Sequence, residues 1–152
     1  MTAPVFVDTN VLVYAIDLAA GERQVVARAW MDAVWARHAG RLSVQVLQEF
    51  YVTVTRTLRP GLSAADAQRE VRAFLPWSPV EVTPAILERA WHLEARYRLS
   101  WWDALIVASA QALGCGTLLT EDLQDGQDFD GVVVCNPFRR GPESLGSSPT
   151  PA

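Results

Sequence analysis

The sequence predicts an α/β fold, a three-layer α/β/α sandwich around a mainly parallel central sheet. Short apolar runs typical of buried strands occur near the start and near the end of the chain. Helical patterns separate these runs, and strands that alternate with helices form parallel sheets covered on both faces. The 152 residues suit one domain, and half of them are hydrophobic, which is enough for a core.

The amino-terminal part of the chain gives the clearest pattern. Residues 4–8 (PVFVD) form an apolar run that ends in an acid, as in a fully buried strand, and a brief helix is expected to follow. Residues 22–39 place apolar side chains at every third or fourth position, which is the spacing of an amphipathic helix. Gly40 then stands where a C-cap glycine belongs, and residues 41–44 are a candidate short strand.

The run that starts at Val46 is rich in β-branched residues and is ambiguous between helix and strand. Apolar side chains recur at every fourth position up to Leu58, and Pro60-Gly61 ends the pattern, so a helix is favoured. The elements expected after it are a helix over 63–75 capped by Ser63, a candidate strand over 77–82, helices over 84–99 and 101–113, and strands over 116–120 and 132–135.

One domain is predicted over residues 1–140, followed by a disordered Pro- and Ser-rich tail over 141–152. No apolar run reaches the roughly 18 residues that a membrane span needs, and the first residues lack the basic region of a signal peptide. Cys115 and Cys135 are isolated in apolar runs, so buried thiols are expected rather than a disulfide. A cytoplasmic protein without membrane association is therefore predicted.

The charged residues exclude several classes of mechanism. All thirteen cationic residues are Arg, so a P-loop lysine and a Schiff-base lysine are impossible. The net charge of −4 argues against a non-specific nucleic-acid binder, which usually carries a basic face. No serine or cysteine has the sequence context of a catalytic nucleophile.

Four acids are expected to meet at one end of the sheet, because ligands of parallel sheets bind beyond the carboxyl ends of the strands. Asp8 ends the first strand, Glu49 lies on the helix after the second, Asp103 opens the helix at residue 101, and Asp122 follows the strand GTLLT. Two such charges 4 Å apart repel by about 4 kcal/mol at an effective dielectric of 20. A divalent cation such as Mg²⁺ removes that repulsion.

A metal held by carboxylates can activate water and stabilise a leaving oxygen, which suits hydrolysis of a phosphodiester. Each acid also has an ordinary structural explanation: a turn for Asp8, a helix-dipole contact for Asp103, a solvent-facing position for Glu49 and a solvated loop for Asp122. Their joint placement at one end of the sheet favours the metal site over four separate explanations.

In four segments the sequence resembles PIN-domain nucleases, and within that group VapC-type toxins. In chain order the segments are VFVDTNVLVYAID, LSVQVLQEFYVTVTR, LSWWDALIVASAQALGC and TLLTEDLQDGQDFDGVVVCNPF. The resemblance covers the chain from about Val5 to Phe138. It implies an α/β/α sandwich, homodimerisation and cleavage of RNA with Mg²⁺ or Mn²⁺. It also implies a small antitoxin partner whose carboxy-terminal segment lies over the active site.

The resemblance assigns roles to individual residues. Asp8 and Asp103 are the expected direct metal ligands, and Glu49 and Asp122 are expected to orient the metal or to hold a second one. The supporting residues that it implies are Asn10 beside Asp8, Ser43 or Gln45 beside Glu49, and Thr120, which forms a threonine-x-aspartate pair with Asp122. Glu121 and Asp125 are close enough in sequence to join or replace Asp122.

Other functions remain open at this point. A haloacid-dehalogenase-like phosphatase is excluded, because Asn10 stands where its second Asp belongs and its Lys is absent. A PIN-like domain that binds RNA or protein without cleavage, and a nuclease of RNA maturation or decay, are the alternatives to a toxin. Arg56 and Arg59 are candidates for RNA-backbone contacts, with plain surface charge as the alternative. The RNA target and the number of metal ions are not predicted.

Overall fold

The computed structural model describes residues 3–146 and contains a five-stranded sheet of order β2-β1-β3-β5-β4. The strands are β1 (Val5–Val7), β2 (Gly40–Arg41), β3 (Thr117–Leu119), β4 (Asp128–Phe129) and β5 (Val132–Cys135). Strand β1 is parallel to both β2 and β3, and β3 is parallel to β5. Only β4 is antiparallel, because a tight turn joins it to β5.

Six α-helices lie within the described range. They are α1 (Thr9–Ile16), α2 (Glu22–Ala36), α3 (Val44–Val52), α4 (Ala64–Ala73), α5 (Pro84–Tyr97) and α6 (Trp101–Ala112). Helix α1 packs on both α2 and α3, whereas α5 packs on α6, which contacts β3 and β5. Every residue of β1 is buried, as expected for a central strand covered on both faces. The predicted α/β class with a mainly parallel sheet is confirmed.

The ambiguous run from Val46 is helical, as predicted, and ends in a π-helical turn over Thr53–Thr57. The predicted strand over 77–82 is wrong. A 3-10 turn over Leu75–Trp77 precedes a single parallel bridge between Ser43 and Val80. Proline at positions 76 and 79 explains the difference, because neither residue can donate a backbone hydrogen bond to a neighbouring strand.

Gly40 has a different role from the predicted C-cap. Helix α2 ends at Ala36, and His38 takes the left-handed conformation with φ of 52°. Gly40 lies in β2, where the ring of Trp77 occupies the space that a Cβ atom would need. Glycine is therefore required here for close packing. At the end of α6, by contrast, Gly114 has φ of +70° and ends the helix as predicted.

The segment after β5 is more ordered than the sequence indicated. Residues Pro142–Gly146 form a 3-10 turn, and Leu145 packs against the core. The fully buried Trp30 holds this segment, because its Nε1 donates to the carbonyl oxygens of Pro137 at 3.1 Å and Arg140 at 3.0 Å. The predicted tail therefore does not begin at residue 141. Residues 147–152 lie outside the described part of the chain, and their disorder stays a prediction.

Both cysteines are buried and free, in agreement with the sequence analysis. Burial raises the pKa of the Cys115 thiol to about 12 and that of the Cys135 thiol to about 11. Both thiols are therefore protonated near neutral pH, whereas a nucleophilic cysteine reacts as the thiolate. This agrees with the sequence analysis, in which neither cysteine has the context of a catalytic nucleophile. Over residues 3–146, no helix combines the length and apolar character that crossing a membrane requires.

Candidate active site

The candidate site lies at the carboxyl ends of the neighbouring parallel strands β1 and β3. Asp8 follows β1 directly and Thr120 follows β3 directly, so the two side chains leave the sheet side by side. The Thr120 hydroxyl donates to Asp8 Oδ2 at 2.9 Å. Both residues are buried, with Asp8 6% exposed. Asp8 also caps α1, because its Oδ1 accepts a hydrogen bond from the Thr9 backbone N–H at 2.7 Å.

Asn10, at the start of α1, connects the residue after β1 to the loop after β3. Its Nδ2 donates to Thr120 Oγ1 at 3.0 Å and to Asp122 Oδ2 at 3.1 Å. The Asp122 backbone N–H donates to the same Thr120 oxygen at 3.1 Å. The structure therefore brings Asn10, Thr120 and Asp122 together around Asp8, as the sequence predicted.

Glu49 reaches the site from α3. Its Oε2 accepts from the Thr9 hydroxyl at 2.9 Å, and its Oε1 accepts from Gln45 Nε2 at 3.1 Å. Thr9 is the first residue of α1 and follows Asp8, so this hydrogen bond fixes α3 against the same strand end. Gln45 is thus a direct partner of Glu49, whereas Ser43 acts at a distance as the N-cap of α3.

Replacing Ser43 by Ala is expected to lower the free energy of unfolding by about 1 kcal/mol. The buried Ser43 hydroxyl accepts from the Val46 backbone N–H at 3.2 Å, and Ala leaves that donor unsatisfied. Urea unfolding measures the change. The matched control is Ser63→Ala, which removes an equivalent but exposed cap from α4. An S43A protein as stable as wild type would contradict this role.

Asp103 lies in the first turn of α6, whose N-cap is Ser100. The Ser100 hydroxyl accepts from the Asp103 backbone N–H at 3.2 Å, which fixes the start of the helix. The side chain of Asp103 is half-buried, and its charge acts on Asp122, whose pKa it helps to raise. Asp103 therefore belongs to the same electrostatic cluster as the other three acids.

Two of the four acids, Asp8 and Asp122, have a raised pKa, and burial is the largest cause for both. Burial, followed by the charges of Asp122 and Glu49, raises the pKa of Asp8 to about 7, although hydrogen bonds from Thr9 and Thr120 act in the opposite direction. Burial is also the largest cause of the raised pKa of Asp122, with further contributions from nearby acids, Asp103 and Glu49 among them. The folded protein thus holds carboxylates whose negative charge is poorly compensated.

The donors at this site suit a hard divalent cation. Across residues 3–146 no Arg or His forms an ion pair with Asp8, Glu49, Asp103 or Asp122. In the same range no three His, Cys, Asp or Glu side chains are grouped closely enough to hold a metal by themselves. Mg²⁺ keeps several waters and needs only one or two carboxylates. The buried carboxylate of Asp8 and the unpaired acids near it fit such an ion, whereas a closed protein cage for zinc is not formed among these residues.

The two alternative acids, Glu121 and Asp125, are bound by other residues. Glu121 accepts from the Tyr14 hydroxyl at 2.6 Å and pairs with Arg23. Asp125 accepts from the Asn136 backbone N–H at 2.8 Å and pairs with Arg140 at 3.3 Å. That backbone hydrogen bond is the main reason for the lowered pKa of Asp125. This arrangement favours Asp122 as the acid of this loop that belongs to the site.

Comparisons with known proteins agree with this geometry. A family model described as PIN domain matches residues 5–127, which confirms the resemblance seen in the motifs. The chain is similar to one in a toxin–antitoxin complex from Klebsiella pneumoniae, with 27% identity, a TM-score of 0.55, and coverage of 89% of this chain and 98% of that one. No curated protein gives a significant match.

A second solved structure shows the same fold. It is described as VapBC2 from Rickettsia felis bound to a DNA fragment from their promoter. Its matching chain is 16% identical, with a TM-score of 0.58, and the match covers 86% of this chain and 96% of that one. At this identity the likeness supports the fold alone.

Proposed function

The chain belongs to the PIN-domain family, and on this premise we propose that it is a metal-dependent endoribonuclease. The observation that carries the proposal is the buried Asp8 at the end of β1, on which the charges of Glu49 and Asp122 act. Asp103 acts on Asp122 in turn, and no cationic side chain among the described residues forms an ion pair with any of the four acids. This surplus of negative charge fits Mg²⁺ or Mn²⁺, and the family is one of nucleases.

In this mechanism Asp8 and Asp103 would hold one cation, and Glu49 and Asp122 would orient it or hold a second. When bound, the cation acidifies water and stabilises charge on the leaving oxygen of the phosphodiester. The remaining residues keep the acids in position. Asn10 and Thr120 fix Asp8 and Asp122 relative to each other, and Thr9 and Gln45 fix both oxygens of Glu49.

The cleavage reaction is tested with purified protein and a mixed population of cellular RNA. We expect new RNA ends carrying 5′-phosphates in the presence of Mg²⁺ or Mn²⁺ and none in EDTA. Asp103→Asn is the paired variant, and it should produce no such ends even in the presence of Mg²⁺ or Mn²⁺. Ends that form equally in EDTA, or with the D103N protein, would contradict the proposal.

We further propose that the protein acts in the cytoplasm as the toxin of a toxin–antitoxin pair and is a homodimer. The similarity to a toxin–antitoxin complex from Klebsiella pneumoniae along nearly the whole of both chains supports a small antitoxin partner. A nuclease of RNA maturation or decay is the second candidate, because both would share this site.

Expression in cells separates the two candidates. A toxin should arrest growth and generate new RNA 5′ ends when expressed alone, and co-expression of the adjacent small reading frame should reverse both effects. Unaffected growth with cleavage of defined precursors would favour RNA maturation. Sedimentation of the purified protein tests the homodimer.

A further inference from the structure

Four side chains form a cluster directly beside the acidic site, and we call it the Arg23 cluster: Arg23, Tyr14, Glu121 and Phe138. Glu121 holds it together, because its two carboxylate oxygens bind the Tyr14 hydroxyl and the Arg23 guanidinium. The cluster is continuous with the site, since Glu121 precedes Asp122 and its backbone N–H donates to Asn10 Oδ1 at 3.4 Å.

The guanidinium of Arg23 is oriented but not enclosed. Its central carbon lies 4.4 Å from the centre of the Phe138 ring and 5.4 Å from that of Tyr14. Its Nη1 donates to Glu121, and the Arg23 side chain is 50% exposed. The aromatic rings and Glu121 therefore fix the orientation of the Arg23 guanidinium. Its other N–H groups can donate to a ligand that approaches from solvent.

An RNA substrate needs a cation near this site. The four acids and the net charge of −4 repel a polyanion, and phosphate contacts supply much of the affinity for nucleic acid. The other arginines in ion pairs lie farther from the acids along the fold: Arg89 and Arg96 surround Asp130, which precedes β5 at the opposite end of the strands. Arg69 pairs with Asp66 on α4, and Arg140 pairs with Asp125, three residues beyond Asp122. The Arg23 guanidinium pairs with Glu121, the residue next to Asp122, and so lies beside the acids that repel the RNA.

We propose, on the basis of the proposed function, that Arg23 binds the phosphate backbone of single-stranded RNA next to the scissile bond, held in place by Glu121, Tyr14 and Phe138. Arg suits this role, because its planar guanidinium offers paired N–H donors that match phosphate oxygens. A purely structural cluster would instead fix the loop that carries Asp122. If Arg23 binds RNA, its loss should change KM, whereas if it only fixes the loop, its loss should change kcat.

Binding is measured by fluorescence anisotropy with a fluorescein-labelled single-stranded RNA of mixed sequence. All proteins carry Asp8→Asn, so that the RNA is not cut. We expect Arg23→Ala to weaken binding about 5- to 10-fold at low salt and to reduce the slope of log K against log salt by about 0.7. Arg23→Lys should keep most of the slope, because it keeps the charge. The control is Arg28→Ala, an exposed arginine on the same helix, with an expected change below about twofold.

Cleavage kinetics in the protein that retains Asp8 give the second measurement. Arg23→Ala should raise KM by a similar factor with little change in kcat. A lowered kcat with unchanged RNA affinity would overturn the inference and indicate that the cluster positions the Asp122 loop. Equal affinity and equal salt dependence of the R23A and parent proteins would overturn it while leaving the proposed function intact. Absence of metal-dependent cleavage by the protein that retains Asp8 would overturn the proposed function, and the inference with it.

Discussion

Replacing Asp8 by Asn is expected to reduce RNA cleavage about 1,000-fold or more while the fold is retained. Asp8 is the most buried acid of the site and lies at the end of β1, in contact with Thr120 and beside Asn10. Asparagine has nearly the same shape but lacks the negative charge that holds a divalent cation. The loss should therefore fall on chemistry rather than on structure.

Cleavage of a labelled RNA in Mg²⁺ measures this effect, and circular dichroism checks the fold. Asp66→Asn is the matched control, because Asp66 is an exposed acid on α4 whose ion pair is with Arg69 of the same helix. Undiminished, metal-dependent cleavage by the D8N protein would remove the basis for the assigned site.

The same substitution is expected to stabilise the metal-free protein by about 2–4 kcal/mol at pH 8. Burial raises the pKa of Asp8 from 3.8 to about 7, so between these values the folded protein holds a proton that the unfolded chain has released. The contribution of Asp8 to the free energy of unfolding therefore falls as the pH rises from 4 to 7 and stays low above pH 7. Asn has no such proton and avoids the loss.

Urea unfolding in EDTA at pH 4 and pH 8 tests this expectation. The wild-type and D8N proteins should have similar stability at pH 4, and D8N should be the more stable at pH 8. Mg²⁺ at 100 times its dissociation constant should then add about 2.7 kcal/mol to wild type alone. A D8N protein that is less stable than wild type in EDTA at pH 8 would show that Asp8 is not a poorly compensated carboxylate.

The sequence predicted the placement of the four acids because the topology decides it. Parallel strands end at the same edge of the sheet. The strand order therefore places Asp8, Asp122 and the helices that carry Glu49 and Asp103 at that edge, and no side-chain contact has to be known in advance. The strand predicted over 77–82 failed for a local reason, since its apolar content does not reveal that proline at 76 and 79 prevents regular pairing.

The Arg23 cluster is the part of the site region that the sequence did not predict. Arg23 and Glu121 are 98 residues apart, and neither position carries a pattern that indicates the other. The sequence analysis named Arg56 and Arg59 as candidates for RNA-backbone contacts. Both are exposed near the end of the π-helical turn and form no ion pair with any described residue. A contact of this kind depends on how α1, α2 and the loop after β3 pack, which local spacing does not encode.

The Thr120 hydroxyl gives the hydrogen bonds around Asp8 a fixed direction. Its oxygen accepts from Asn10 Nδ2 and from the Asp122 backbone N–H, which occupies both of its lone pairs. Its single proton therefore has one acceptor, Asp8 Oδ2. Each hydrogen bond in this series polarises the next one, so that the Thr120 hydroxyl becomes a stronger donor to Asp8. These hydrogen bonds therefore stabilise the anionic form of Asp8 and partly offset the effect of burial on its pKa.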